Sequence, residues 1–508
     1  MHVLVTGGTG VVGKAAVDRL LGRGHTVRLF SRNAEEDHLE WPSGVEPYAG
    51  SVGNDADVKD AAMGCDAILH IAGIVDESPP EATFENINVE GTLRMIEEAK
   101  RSGVDRFVYV SSLGADRGTS EYHQSKLAGE EIVKTFPGNW LICRPGNVYG
   151  PGDEVISLLL KMVRTLPAIP VIGGGDHVFQ PIAADDLGSA LALAMEWKEP
   201  TKQVLELAGE EQITVSELLD LLEDITDRRP PRVPIPEVIA LAGAQIADLV
   251  GVDVPVKSEQ IIMLLEENVI PPERENALIT VFGVTPQPLI AGLNELADSQ
   301  PVKPLSEGVG RLHRQRYWAD IASSRCTADE LFRMVREDFY SLLPESLLDV
   351  GTEPGTPQSL EEGATLTMAV PLRGNIQVRV EEIADRTATM ATVEGHHLAG
   401  VIRFFVDDLA DLLRFEIRSY SRASGLLDNL GMKTIGRQLQ KVTWVSVVEE
   451  VVRRSGGVVV DEVQREESAL TDEEATSVEE WAQRLVNKQQ REEKTDRIEA
   501  ERHGQRSD

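Results

Sequence analysis

Tyr122 and Lys126 stand four residues apart in the run Tyr-His-Gln-Ser-Lys, near the start of a predicted helix. Spacing i, i+4 sets both side chains on one helix face, one turn apart. A free phenol ionises near ~10 and is a poor base at neutral pH. An ammonium beside it favours phenolate and brings it towards the working range, which is the chemistry of proton transfer at a carbonyl or alcohol oxygen. The plainer reading of any Tyr-x-x-x-Lys is a surface helix pair. Here, however, Ser111-Ser112 lies one short loop upstream, directly after the apolar run 107–110, where the Ser112 hydroxyl could bond a substrate oxygen. Asn88, in Ile-Asn-Val-Glu-Gly-Thr, is placed on a helix predicted after the fourth strand.

A redox partner for such a site is written into the first sixteen residues. An apolar run at 3–5 enters Thr6-Gly7-Gly8-Thr9-Gly10-Val11-Val12-Gly13 and then a helix-forming stretch. Gly7, Gly10 and Gly13 are spaced G-x-x-G-x-x-G in a strand–turn–helix context. The turn aims backbone N–H groups and a helix dipole at an anion, as a dinucleotide pyrophosphate requires. Gly8 to Lys14 also reads G-x-x-x-x-G-K, but Ala15 stands where an ATP-binding loop needs Ser or Thr for magnesium. After the second strand come Ser31 and Arg32, with no Asp or Glu to accept from a ribose 2′-OH. A guanidinium pairs with a 2′-phosphate, so NADP is favoured and NAD is the alternative. An exposed loop charge is the plain reading of Arg32.

The elements that must position these residues follow from periodicity. Strand-like runs at 27–30, 67–71, 107–110 and 141–143 alternate with helical patterns, predicting a parallel, doubly wound sheet of the Rossmann kind. Ligands of such sheets sit at the carboxyl ends of the strands. Residues 145–300 are richer in Gly and Pro and then mostly helical, predicting a smaller substrate lobe on a first domain of 1–300. A linker is expected at 301–320. An α+β domain is expected at 320–460, from strand-like alternation at 365–371, 376–381, 387–393 and 413–419 and helical stretches at 328–343 and 435–454. The charged stretch 461–508 is expected to be a tail, either a solvated helix or disorder.

Composition limits the partners. With 508 residues, two or three domains are expected, and a formal charge of −34 argues against nonspecific binding to nucleic acid or anionic membranes. Cys65, Cys143 and Cys326 lack metal-type or redox-pair spacing, so no metal is expected. No apolar run reaches ~18 residues, and the chain is expected to be cytoplasmic, with a small-molecule substrate and no membrane span.

Taken together, Thr6–Gly13, Asn88, Ser111-Ser112, Tyr122-x-x-x-Lys126 and Arg144-Pro-Gly-Asn-Val-Tyr-Gly-Pro-Gly resemble the extended and atypical short-chain dehydrogenase/reductases, the superfamily of sugar-nucleotide epimerases and dehydratases. The resemblance spans roughly 1–300. It implies Tyr122 as acid/base, Lys126 as its partner and ribose binder, Ser112 as a substrate-positioning hydroxyl and Asn88 as support for a proton relay. The implied cofactor contacts are Gly7, Gly10, Val11, Val12, Gly13, Ser31, Arg32, Ala72, Lys126, Pro145 and Val148. A short gap between Ser112 and Tyr122, and Gly50-Ser51 where relatives often have Gly-Asp, look more like the branch with complex I accessory-subunit-like proteins. Some proteins of that branch bind nucleotide without known turnover. An oxidoreductase is therefore expected first, then an epimerase or dehydratase, then a non-catalytic cofactor sensor or scaffold.

In the second half, the runs 392–400 and 414–422 resemble a bacterial family of unknown function with an expected START-like, helix-grip fold. That resemblance covers about 320–455 and implies an apolar ligand cavity. Glu416, Arg418 and Tyr420 alternate with Phe415 and Ile417, so one strand face is polar and either lines a cavity or meets solvent. His396-His397 has no accompanying metal-type cluster and reads as structural.

Overall fold

A computed structural model describes residues 1–41, 43–198, 202–250, 258–344, 349–351, 353–357, 359–370, 374–424 and 437–504. The chain opens with β1 (His2–Thr6), α1 (Val11–Gly22), β2 (Thr26–Ser31), β3 (Val45–Ala49) and β4 (Ala67–His70). It continues through α2 (Glu90–Ser102), β5 (Arg106–Val110), α3 (Glu121–Lys134) and β6 (Asn139–Pro145). Helices α4 (Ile156–Thr165) and α5 (Ala184–Glu196) precede the last strand, β7 (Gln203–Leu207). The seven strands form one parallel sheet in the order β7-β6-β5-β4-β1-β2-β3. Both faces are covered: Val3, Val5, Leu29 and Leu69 meet Leu20 and Leu187 on one, while Leu4, Ile68, Phe107 and Tyr109 meet Met95 and Ile96 on the other. A sheet buried on both faces needs near-continuous apolar strands, which is why these runs were legible. The strand order reverses between β1 and β4, and ligand crevices form at such a reversal.

The lobe over this sheet is built from α4, α6 (Val215–Thr226), α7 (Glu237–Val250), α8 (Ser258–Leu265) and α9 (Leu289–Asp298). Ile156, Leu160, Leu218, Leu222 and Leu293 form its core. On α7, Val238 and Ile239 are largely exposed.

The second half is mostly an antiparallel sheet of nine strands. Its members are β8 (Val309–Ala322), β9 (Asp349–Val350), β10 (Thr365–Val370), β11 (Gly374–Ala384), β12 (Thr387–Thr392), β13 (Leu398–Leu409), β14 (Leu412–Ala423), β15 (Val458–Val459) and β16 (Gln464–Ala469). The order is β9-β10-β11-β12-β13-β14-β8-β15, with β16 also paired to β8. Helix α10 (Ala328–Glu337) and helix α11 (Arg437–Ser455) pack on one face, where Leu331, Val335, Val447 and Val451 join Phe404, Phe415 and Ile417 in the core.

Two sequence expectations are corrected here. Residues 301–320 are not simply a linker, because β8 begins at Val309 and runs through the interior of the sheet. Its polar residues disguise it: Arg316 pairs bidentately with Glu416 and Asp320 with Arg414 across the strand pair, so the charges form a ladder instead of marking a loop. Nor are the described residues of the charged stretch, 461–504, merely solvated or disordered. β16 extends the sheet, and α12 (Asp472–Gly504) reaches back to the first domain. There Ile498 is buried in the core around Leu20 and Leu21, and Lys494 bonds Glu40 at 2.8 Å while lying over the Trp41 ring. The apolar residues that dock it are too sparse to show as a stripe. The two halves also meet at Arg164 of α4, whose guanidinium is bonded by Glu353, Gln377 and the Ala297 carbonyl.

Candidate active site

The glycine turn has the shape its spacing predicts. Gly7 adopts φ +68, and a Cβ there would stand 2.7 Å from the Ala72 amide nitrogen, so β1 and the strand end after β4 touch backbone to backbone. A Cβ at Gly13 would collide with the Gly7 carbonyl, so only glycine lets α1 begin this close to the strand. Gly10 caps α1 without a side-chain hydrogen bond, and the first turn carries no acidic residue. The N-terminal amides are thus left to an anion, which fits a dinucleotide pyrophosphate. Val11 and Ala72 border this turn half-buried, as do Val12 and Val148 at the edge of the core, and Pro145 is buried at the end of β6. At the end of β2, the Ser31 hydroxyl donates to Asp37 at 2.6 Å, and Arg32 is exposed.

Asn88 lies in a π-helical turn, Glu85–Val89, that leads into α2. Its side-chain amide donates to the Ile74 carbonyl at 3.0 Å and to Ser125 at 2.9 Å, and its oxygen accepts from the Ile74 amide at 2.8 Å. Asn88 therefore clamps the segment after β4 to α3. Lys126 Nζ donates to the Val110 carbonyl at 2.7 Å and sits 4.6 Å from the Tyr109 ring centre. A Cβ on Gly73 would stand 3.1 Å from Asn88 Oδ1 and 3.4 Å from Lys126 Nζ, so all three meet beside the glycine turn. Burial, opposed by the Glu130 carboxylate, brings the Lys126 amine down to about 8.

Just beyond β5, the Ser112 hydroxyl bonds the Leu113 carbonyl and His123 Nε2, and as a neighbour of the Tyr122 phenol it acts to lower that phenol's pKa. The expected lowering of Tyr122 by Lys126 is corrected. Burial, opposed by Ser112 and aided by Glu154, pushes the phenol above its ordinary value, and the ammonium is turned to Val110. Beneath the site, Ser111 donates to Glu130 at 2.6 Å, and Arg144 binds the same carboxylate with two bonds of 2.7 and 2.8 Å. His70 is buried between Thr6 and Thr92, and burial brings its imidazole down to about 3, so it is neutral.

Sequence reading missed two residues of this cluster. His123 Nε2 lies 3.3 Å from Ser112 Oγ, and its Nδ1 lies 2.5 Å from the carboxylate of Glu266, which follows α8 in the lobe. His123 was visible inside the Tyr-x-x-x-Lys run, but Glu266 lies 143 residues away and carries no local signal. Elsewhere, His396 and His397 stack at 4.5 Å, and His396 Nδ1 accepts from the Leu398 amide at 2.9 Å. Among the described residues, no group of three or more His, Cys, Asp or Glu could hold a metal ion, and no helix is long and apolar enough to cross a membrane.

A parallel sheet with a glycine turn at a helix N-terminus and hydroxyl, phenol and amine groups at its strand ends has the arrangement of a nucleotide-binding α/β domain. Residues 3–208 match the NAD dependent epimerase/dehydratase family, and with reductase and dehydrogenase relatives this match supports an NAD(P)-dependent oxidoreductase or epimerase/dehydratase-like enzyme. The chain is 28% identical over 250 residues to a ceramide reductase of Caulobacter vibrioides, covering 48% of this chain and 77% of that protein. It is 27% identical over 241 residues to the mitochondrial NADH-ubiquinone oxidoreductase 40 kDa subunit of Neurospora crassa, covering 46% and 63%. It is 32% identical over 188 residues to a 3-beta-hydroxysteroid dehydrogenase of Mycolicibacterium neoaurum, covering 30% and 50%. The chain thus spans half to two thirds of the length of the last two. Among solved structures, the NADPH-dependent quinone oxidoreductase of Escherichia coli aligns with a TM-score of 0.47 and 17% identity, over 58% of this chain and 99% of that one.

Proposed function

We propose that the first half is an NADP(H)-dependent oxidoreductase of the extended/atypical short-chain dehydrogenase/reductase type, interconverting a carbonyl and an alcohol with Tyr122 as acid/base. The observation that carries this reading is the meeting of Ser112, just beyond β5, and Lys126, bonded to the Val110 carbonyl of that strand, with Asn88 and Gly73 beside the glycine turn. A bound nicotinamide supplies hydride transfer. Ser112 positions the substrate oxygen, and Tyr122 gives or takes the proton. Lys126 serves the ribose side, and Asn88 holds the loop that borders it. Burial raises the Tyr122 phenol further above its ordinary value, so it stands protonated at neutral pH and can donate to a carbonyl oxygen.

An apolar carbonyl compound is the proposed substrate class. Two relatives are named for a ceramide and a hydroxysteroid, and the lobe exposes Val238 and Ile239. Exposed Arg32 supports NADP. The family match supports an epimerase or dehydratase acting on a sugar nucleotide as the second reading, with transient oxidation by the same residues. In the second half, the antiparallel sheet with α11 packed on its apolar face supports a START-like domain.

The test is cofactor-dependent turnover of a steroid 3-ketone, a long-chain β-keto amide, a p-quinone and UDP-glucose, with NADPH and with NADH for the carbonyl compounds and NAD for UDP-glucose. Tyr122→Phe is expected to lower turnover by about 10²–10⁴-fold with cofactor affinity retained. Full turnover in Tyr122→Phe overturns the reading. Tight cofactor binding with no turnover of any of the four favours a non-catalytic sensor.

A further inference from the structure

A chain of polar groups leads from Ser112, a neighbour of Tyr122, into the substrate lobe. Ser112 Oγ lies 3.3 Å from His123 Nε2, His123 Nδ1 reaches Glu266 at 2.5 Å, and the Tyr122 ring, whose phenol pKa Ser112 acts to lower, lies 5.3 Å from the imidazole. With the carboxylate accepting from Nδ1–H, Nε2 is left to accept from the Ser112 hydroxyl. Glu266 is itself held by the Thr119 and Ser120 backbone amides and both hydroxyls, and these contacts bring its carboxyl down to about 2. Its side chain keeps 15% exposure, whereas that of His123 keeps 3%, so the chain runs from a buried hydroxyl pair to the edge of solvent.

We propose that Ser112, His123 and Glu266 form a proton relay that recharges Tyr122, with His123 and Glu266 acting as positioning residues supplied jointly by α3 and the substrate lobe. The proposal rests on Tyr122 being the acid/base of the reaction above. In reduction, the phenol O–H breaks as the substrate O–H forms. The phenolate takes the Ser112 proton, and Ser112 takes the Nε2 proton of a His123 imidazolium. Neutral imidazole remains with its Nδ1–H still on Glu266, and a proton from water admitted on product release is taken up at Nε2, restoring the imidazolium. Oxidation runs the same transfers backwards.

The groups facing His123 set its charge. Burial lowers its proton affinity, Glu266 from the lobe raises it, Arg117 from the loop before α3 lowers it, and the Tyr122 ring lies 5.3 Å away on the same helix. Since the neighbouring carboxylate stabilises imidazolium, Glu266→Gln moves the His123 titration to lower pH.

The experiment uses the full-length protein and whichever carbonyl compound above is turned over, from pH 5 to 9. His123→Gln is expected to reduce kcat about tenfold or more with little change in cofactor KM, to remove the pH-dependent limb and to be partly rescued by added imidazole. Glu266→Gln is expected to keep the limb but displace it to lower pH. A profile unchanged in both variants overturns the relay. If Tyr122→Phe still turns over, the acid/base reading fails; if only the His123 and Glu266 variants are silent, the relay alone fails. Nitrogen-15 NMR of His123 without substrate supplies a second readout. Ser112→Ala and Tyr122→Phe are each expected to move its titration by about half a pH unit through the shared hydrogen bonds. Identical titration in wild type and both variants overturns the relay whether or not a carbonyl compound reacts.

Discussion

The two sheets use polar residues in opposite ways. In the parallel sheet, the strands are apolar along their length and polar groups gather at one end, where Gly7, Gly73, Ser112, Tyr122 and Lys126 meet. In the antiparallel sheet, charges run along the face of the strands turned away from α10 and α11. Glu416 is bonded by Arg316 and Arg418, Asp320 by Arg414, and Arg316 also reaches Glu466. A sheet whose strands are apolar on both faces has only its strand ends for chemistry, whereas one with a polar second face spends those residues on ion-pair ladders. The difference teaches that a dense charge pattern marks architecture in one half, and that a few well-placed hydroxyls mark function in the other.

The sharpest way to break this contrast is at the strand ends. Alongside the Tyr122→Phe loss, Gly13→Val is expected to weaken cofactor binding by about 100-fold or more, because a side chain there meets the Gly7 carbonyl. Calorimetric titration with NADPH and NADH checks it, and binding unchanged from wild type would remove the turn from the site. In the ladder, Glu416→Ala leaves two guanidinium groups without their shared carboxylate and is expected to cost about 2–3 kcal/mol of stability. Cofactor affinity should not move, and a denaturant titration beside the binding assay reads both.

His70 offers a pH test of the buried half. Its folded value of about 3 lies below its ordinary 6.5, so below pH 6.5 the unfolded chain takes up a proton that the folded chain refuses. Stability from this residue is therefore complete above pH 6.5 and declines as pH falls towards 3. His70→Gln should flatten the fall in urea midpoint between pH 7 and pH 5, and an unchanged slope would assign acid lability elsewhere. The smallest effect is expected at Arg32. Its loss should weaken NADPH binding about tenfold, roughly 1.4 kcal/mol, and leave NADH alone. Asp37, already bonded to Ser31, carries the opposite charge at the same strand end, so Asp37→Asn should shift preference towards NADPH.

Local spacing was enough for the glycine turn, the alternation of apolar strands and helices, and the Tyr122/Lys126 face, since each depends on residues within a turn or two of one another. β8 and α12 escaped it. The ladder partners of β8, such as Glu416, lie about a hundred residues away, and the docking of α12 turns on a few residues such as Ile498. Packing also reversed one electrostatic expectation. Lys126 shares a helix face with Tyr122, yet the Val110 carbonyl and the Tyr109 ring claim its ammonium, and burial sets the phenol. Glu266 joins the site only because the lobe folds back onto the start of α3. Which residues can react is a matter of type and short spacing; which of them touch, and with what charge, follows from long-range contacts that no local pattern encodes.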